Sequence, residues 1–128
     1  MENKKKLGEA ELEIMQVVWN AQPPVTSNYI LKHLPATRRW ALSTLMTSLS
    51  RLCDKGFLTC GRETGVNLYA PAVSEGDFKT REGKSFLERL YGNSLQNMVA
   101  TLYSGRAIHD SDVAELRKFL DELEEENR

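Results

Sequence analysis

The chain has 128 residues, enough for one domain or for a small domain with an appendage. Its 41% apolar and 27% charged residues exclude a wholly disordered chain, and no apolar run approaches the ~20 residues of a membrane span. The net charge of −1 hides a division: residues 1–72 carry nine Lys/Arg against six Asp/Glu, and residues 73–128 carry eight against twelve, so the first part is the one suited to face a polyanion. The segment Met1 to Lys6 is polar and basic and leads into no apolar run of signal-peptide type, so no membrane insertion and a cytoplasmic location are expected.

Glu9, Leu12, Met15, Val18 and Trp19 fall at helical spacing, and Glu9, Glu11 and Glu13 occupy the first turns, where the helix dipole favours acid. Pro23-Pro24 ends this helix. Thr26 or Ser27 then caps a second helix carrying Tyr29, Ile30, Leu31 and Leu34, which Pro35 stops. A basic turn follows, Thr37-Arg38-Arg39-Trp40.

A third helix is expected from about Ala41 to Lys55. Leu42, Leu45, Leu49 and Leu52 repeat at three and four residues and predict a continuous core stripe. The other side carries Ser43, Thr44, Thr47, Ser50 and Arg51, with no acid before Asp54. A solvated face normally carries Glu and Lys, whereas Ser and Thr lose helix propensity. Such a face fits close approach to another surface. Gly56 serves as the left-handed cap. Phe57–Cys60 and Val66–Tyr69 read as short strands joined by the turn Arg62-Glu63-Thr64-Gly65. Three helices and a hairpin in this order make a winged helix-turn-helix, so the fold class is mainly α with a small β-hairpin.

Ala70-Pro71-Ala72 reads as a junction, dividing a winged-helix DNA-binding domain, 1–72, from a helical dimerisation domain, 73–128. Ser74 and Glu75 open a helix with Phe78, Phe86, Leu87, Leu90 and Tyr91 on its apolar face; Gly83 weakens its middle and Gly92-Asn93 breaks it. Leu95, Met98, Val99, Leu102 and Tyr103 form another, and Asp110 or Ser111 caps a last one bearing Val113, Leu116, Phe119, Leu120 and Leu123. Three short helices bury too little surface to stand alone. Either they fold back on the first domain or they pair with a second chain. The acidic balance favours pairing, with Phe86, Leu90, Leu95, Met98, Val99, Leu102, Val113, Leu116, Phe119 and Leu120 as dimerisation residues.

The expected partner of the first part is double-stranded operator DNA. Arg38 and Arg39 are placed to reach phosphates, and Arg51 could reach a phosphate or a guanine, or pair with Asp54 instead. Ser43, Thr44 and Thr47 lie toward the start of the helix, where base edges are met, with Ser50 farther along. Arg62 is the wing candidate for phosphate or the minor groove. Trp19 and Trp40 read as packing residues. A protein–protein module that uses the same Ser/Thr face is the alternative. His33, Cys53, Cys60 and His109 are the available soft ligands and do not form a zinc pattern, both cysteines reading as small core residues. No metal, no cofactor and no enzymatic centre are expected, because the histidines lie in unrelated segments and no phosphate-binding glycine loop or Gly-x-Ser-x-Gly motif is present.

Several segments together resemble the penicillinase-repressor family, which includes methicillin-resistance and copper-transport repressors. They are Leu7 to Met15 with Trp19, then Trp40-Ala41 with Thr44 to Thr47, Arg51-Leu52 and Lys55 to Leu58, Tyr69 with Pro71, Phe86 to Tyr91, and Glu115-Leu116-Arg117. The resemblance implies a cytoplasmic repressor that dimerises through its C-terminal helices on a palindromic operator. It also implies an upstream sensor or protease, or a metal inducer. Here the chain departs from its relatives. The bond that matches the family's Asn-Phe cleavage site is Thr101–Leu102, and the C-terminus has no cysteine for a copper-binding C-x-C motif.

Overall fold

A computed structural model of the chain describes residues 6–36, 40–63 and 65–128. The described elements are α1 (Glu9–Asn20), α2 (Ser27–His33), α3 (Leu42–Asp54), β1 (Leu58–Glu63), β2 (Val66–Pro71), α4 (Glu75–Tyr91), α5 (Leu95–Ser104) and α6 (Asp110–Glu126). They divide into two compact units, Met1–Lys79 and Thr80–Arg128. No described helix is long and apolar enough to cross a membrane.

In the first unit the expected helical spacing becomes a core. Ile14, Met15 and Val18 of α1, Ile30 of α2 and Leu45, Leu49 and Leu52 of α3 are all fully buried. Each such side chain stabilises the fold by about 1.5–3 kcal/mol relative to exposure. Leu42 does not join them: it is 46% exposed. It sits in the first turn of α3, and the buried leucines begin one turn further in.

Caps set the helix ends. The Thr26 hydroxyl accepts the Tyr29 N–H at the start of α2. The end of α3 closes with the Gly56 N–H on the Cys53 carbonyl and the Phe57 N–H on the Leu52 carbonyl. That pair of bonds is a Schellman motif, and it needs the left-handed backbone of Gly56, at φ +87°. Phe57 is thereby turned straight into the core, where it is 1% exposed.

β1 and β2 pair antiparallel, with Leu58 opposite Pro71 and Glu63 opposite Val66. The strands therefore run further toward the tip than the sequence suggests, and Arg62 and Glu63 belong to β1 rather than to the turn. The cause is the tightness of the turn: Gly65, at φ +79°, lets the chain reverse within two residues of Glu63. On the other edge, Val25 bridges Tyr69 through backbone hydrogen bonds of 2.9 and 2.8 Å, which anchors the base of the hairpin to the segment before α2.

The first unit includes the start of α4. Phe78 packs against Trp19 and Phe57 with ring centroids 5.4 and 6.1 Å apart, and the Trp19 indole N–H donates to the Val73 carbonyl at 2.9 Å.

The second unit is built differently. α4 continues unbroken through Gly83 to Tyr91, and α5 and α6 follow, yet neither α5 nor α6 has a buried residue. The Ser94 hydroxyl caps α5 by accepting the Asn97 N–H. α6 starts one residue earlier than a cap at Asp110 would place it, and two earlier than a cap at Ser111. His109 is the cap position, and the Asp112 carboxylate reaches back to its N–H at 2.8 Å. An acidic residue three places into the helix fixes this start, whichever residue precedes it.

Candidate nucleic-acid interface

α3 presents two unlike faces. Behind lie Leu45, Leu49 and Leu52, buried against the core. In front, Ser43, Thr44, Thr47, Ser50 and Arg51 are all exposed. The helix thus brings together five of the expected contact residues on one surface. Five of its thirteen residues are Ser or Thr, and none of its first turn is acidic.

The hydroxyls on this face are not equivalent. Thr47 Oγ1 donates to the Ser43 carbonyl at 3.1 Å, one turn back. Ser43, Thr44 and Ser50 have no side-chain hydrogen bond among the described residues and remain available to a ligand. Arg51 makes no ion pair with Asp54 among the described residues. Its charge acts on Glu11 of α1 instead.

Arg62 lies on β1 opposite Asn67, and its guanidinium donates to the Gly65 carbonyl at 3.4 Å. The cation is therefore held near the hairpin tip although the residue itself is in a strand. Arg38 and Arg39, the expected phosphate contacts before α3, lie outside the described residues. Trp40 is half-buried against the core, as a packing residue, and its indole nitrogen is buried with no partner among the described residues.

One element of the site escaped the sequence. Lys55, at the end of α3, donates to both carboxylate oxygens of Glu11 and to the Lys6 carbonyl. Glu11 in turn accepts the Gly8 N–H at 2.9 Å. Burial pushes the Glu11 carboxyl up, but the Gly8 N–H, the Lys55 ammonium and the Arg51 charge outweigh it, so its pKa lies below the ordinary value. The clamp holds the far end of the exposed helix. Residues 44 apart in the chain give no local signal of such a pair.

Cys53 is half-buried beside the core, whereas Cys60 is exposed and is not a core residue. Alternation along β1 puts Cys60 on the same side as buried Leu58, and it neighbours Cys53 of α3, yet it remains exposed. Burial, with the neighbouring Cys60 and Asp54, pushes the Cys53 thiol up, so it stays protonated at neutral pH. No group of three or more His, Cys, Asp or Glu suited to a metal gathers among the described residues.

In the second unit, Leu95, Val99, Val113, Leu116 and Leu120 line one apolar groove of about 560 Å³ between α5 and α6, with Tyr103 and Asp110 also on its wall. The Tyr103 hydroxyl donates to Asp110 at 2.6 Å. Met98 and Leu102 are half-buried outside this groove. Phe86, Leu90 and Phe119 are 44%, 61% and 53% exposed.

Comparison with known proteins places these features in a family. The profile of the penicillinase repressor family matches residues 7–122. A penicillinase repressor of Bacillus licheniformis is 32% identical over 117 residues, covering 91% of each chain. The methicillin resistance regulatory protein MecI of Mammaliicoccus sciuri is 26% identical over 94% of this chain and 98% of its own. The solution structure of the DNA binding domain of the repressor BlaI is similar over 57% of this chain and 88% of its own, with TM-score 0.50 and 36% identity. The winged-helix fold of the first unit is shared with that domain. The chain belongs to the penicillinase repressor family, a family of transcriptional repressors and not of enzymes.

Proposed function

We propose that this chain is a cytoplasmic transcriptional repressor that binds double-stranded operator DNA as a homodimer. One observation carries the reading: α3 exposes a hydroxylated face free of acid over most of its length, backed by fully buried leucines and followed directly by a hairpin. A major groove admits a helix whose outward side chains are short and can donate or accept hydrogen bonds. Relatives named as repressors, one of them solved as a DNA-binding domain, support the same reading.

In this reading Ser43, Thr44 and Thr47 meet base edges, and Ser50 and Arg51 lie farther along the groove. Arg38 and Arg39 neutralise phosphates at the helix start, and Arg62 does so from the wing. The helices beyond Lys79 supply the second copy. Their large apolar side chains are exposed in the single chain, and the acidic C-terminal end of α6 suits a protein neighbour better than DNA. Two copies related by a two-fold axis read a palindromic operator.

The test is binding of the full chain to duplexes selected from genomic fragments, at several salt concentrations. Selective binding that falls steeply with salt supports the proposal, since each neutralised phosphate adds about 0.9 to the log–log slope. Binding without sequence preference, or with a flat salt response, overturns it and favours a protein-binding role for the same face.

A further inference from the structure

We infer that Thr47 reads a thymine through its methyl group and not through its hydroxyl. The inference rests on the DNA-binding role of α3 proposed above. Thr47 lies on the side of α3 opposite Leu45, Leu49 and Leu52, near the middle of the exposed face. Its hydroxyl hydrogen is already committed, because Oγ1 donates to the Ser43 carbonyl at 3.1 Å, and only acceptor capacity is left on an oxygen held against the helix backbone. A threonine that bonds back to the preceding turn holds one χ1 rotamer. That rotamer folds Oγ1 against the helix backbone and leaves Cγ2 as the outward group.

The neighbours differ from Thr47. Ser43, Thr44 and Ser50 make no side-chain hydrogen bond among the described residues, so their hydroxyls can pair with base edges or phosphates. Thr47 is thus a small apolar spot among hydroxyl groups. In the major groove the apolar counterpart is the C5 methyl of thymine, which no other base of unmodified DNA carries. Thr47 becomes a specificity-determining residue for one A·T step of each half-site.

The experiment uses the full chain and a duplex selected by it from random sequence. Each thymine is replaced in turn by deoxyuridine, which lacks only the C5 methyl, and affinity is measured by fluorescence anisotropy. One replacement per half-site should weaken binding about three- to fivefold, the expected value of one buried methyl. Thr47→Val, which keeps the methyl and loses the hydroxyl, should bind within about twofold of the original and retain that penalty. Thr47→Ser should bind the thymine and uracil duplexes alike. A Thr47→Val loss as large as that of Thr47→Ser overturns the inference, as does a uracil penalty that persists in Thr47→Ser. If the unaltered chain selects no duplex, the DNA-binding role itself falls. If it selects one but is insensitive to uracil everywhere, only the methyl reading falls.

Discussion

Lys55 Nζ stands 2.8 and 3.1 Å from the two carboxylate oxygens of Glu11. The contact joins the last turn of α3 to the first turn of α1, and both side chains are mostly shielded from water, at 27% and 13% exposure. A charge-assisted bond in that setting outweighs an exposed surface pair. Glu11 adds a second function by accepting the Gly8 N–H, so a single carboxylate caps its own helix and moors another.

Glu11→Gln should therefore lower stability by about 1–2 kcal/mol at neutral pH. The pH dependence has a definite sign. Because the folded pKa of Glu11 is depressed, its contribution is fully present above the ordinary glutamate value. It is lost as pH falls through the folded value. Urea unfolding of both proteins from neutral to acid pH checks this: the gap between them should close at the acid end. A gap that is constant with pH would show that the ion pair contributes nothing.

The leucines of α3 should divide sharply. Leu49→Ala should cost about 2–5 kcal/mol, since it empties space in a close-packed core. Leu42→Ala should cost under about 1 kcal/mol, because Leu42 is nearly half exposed. Denaturant midpoints of the two variants, compared at constant slope, distinguish them. Similar losses would mean that Leu42 is covered in solution.

Fragment length provides a test of the first unit. Residues 1–79 should fold as a monomer, because they retain Val73 and Phe78 against Trp19. Residues 1–72 lack both, and should lose about 3–5 kcal/mol, the usual cost of deleting a buried phenylalanine. Thermal melts of the two fragments measure the difference. Equal melting temperatures would remove Phe78 from the folding unit.

Leu120→Lys places a charge in the apolar groove between α5 and α6. The proposed homodimer should become a monomer in sedimentation equilibrium and lose operator affinity at least about tenfold, since one half-site would then bind alone. The first unit should keep its melting transition. A dimer that survives the substitution would move the interface to another surface.

Much of this architecture was legible in the sequence because it is governed by local patterns. The ends of α3 follow from the leucine spacing and from Gly56, and the hairpin follows from a usable glycine between two apolar runs. Two of the errors, at Leu42 and Cys60, share one cause: a periodic pattern does not say where its cover ends. Leu42 continues the stripe of Leu45 and Leu49 but is 46% exposed, and Cys60 continues the inward side of β1 but is exposed. The position of Arg62 depended on how tightly the chain reverses at Gly65, which composition does not specify. The Glu11–Lys55 pair was invisible because it joins distant segments, and no spacing rule covers such a contact. The split between the committed hydroxyl of Thr47 and the free ones beside it is set by rotamer, which a string of Ser and Thr does not reveal.

The two faces of α3 also bear on how such a protein can change its target. Folding depends on Leu45, Leu49 and Leu52, while the recognition proposed above falls to exposed side chains. Substitutions on that outer face should cost within about 0.5 kcal/mol of stability. A duplicated copy could therefore drift to a new operator by single steps, each remaining folded, without any compensating change in its interior. The arrangement makes α3 a suitable place to retarget the protein deliberately, by exchanging outward residues while leaving the leucines and the Glu11–Lys55 clamp in place.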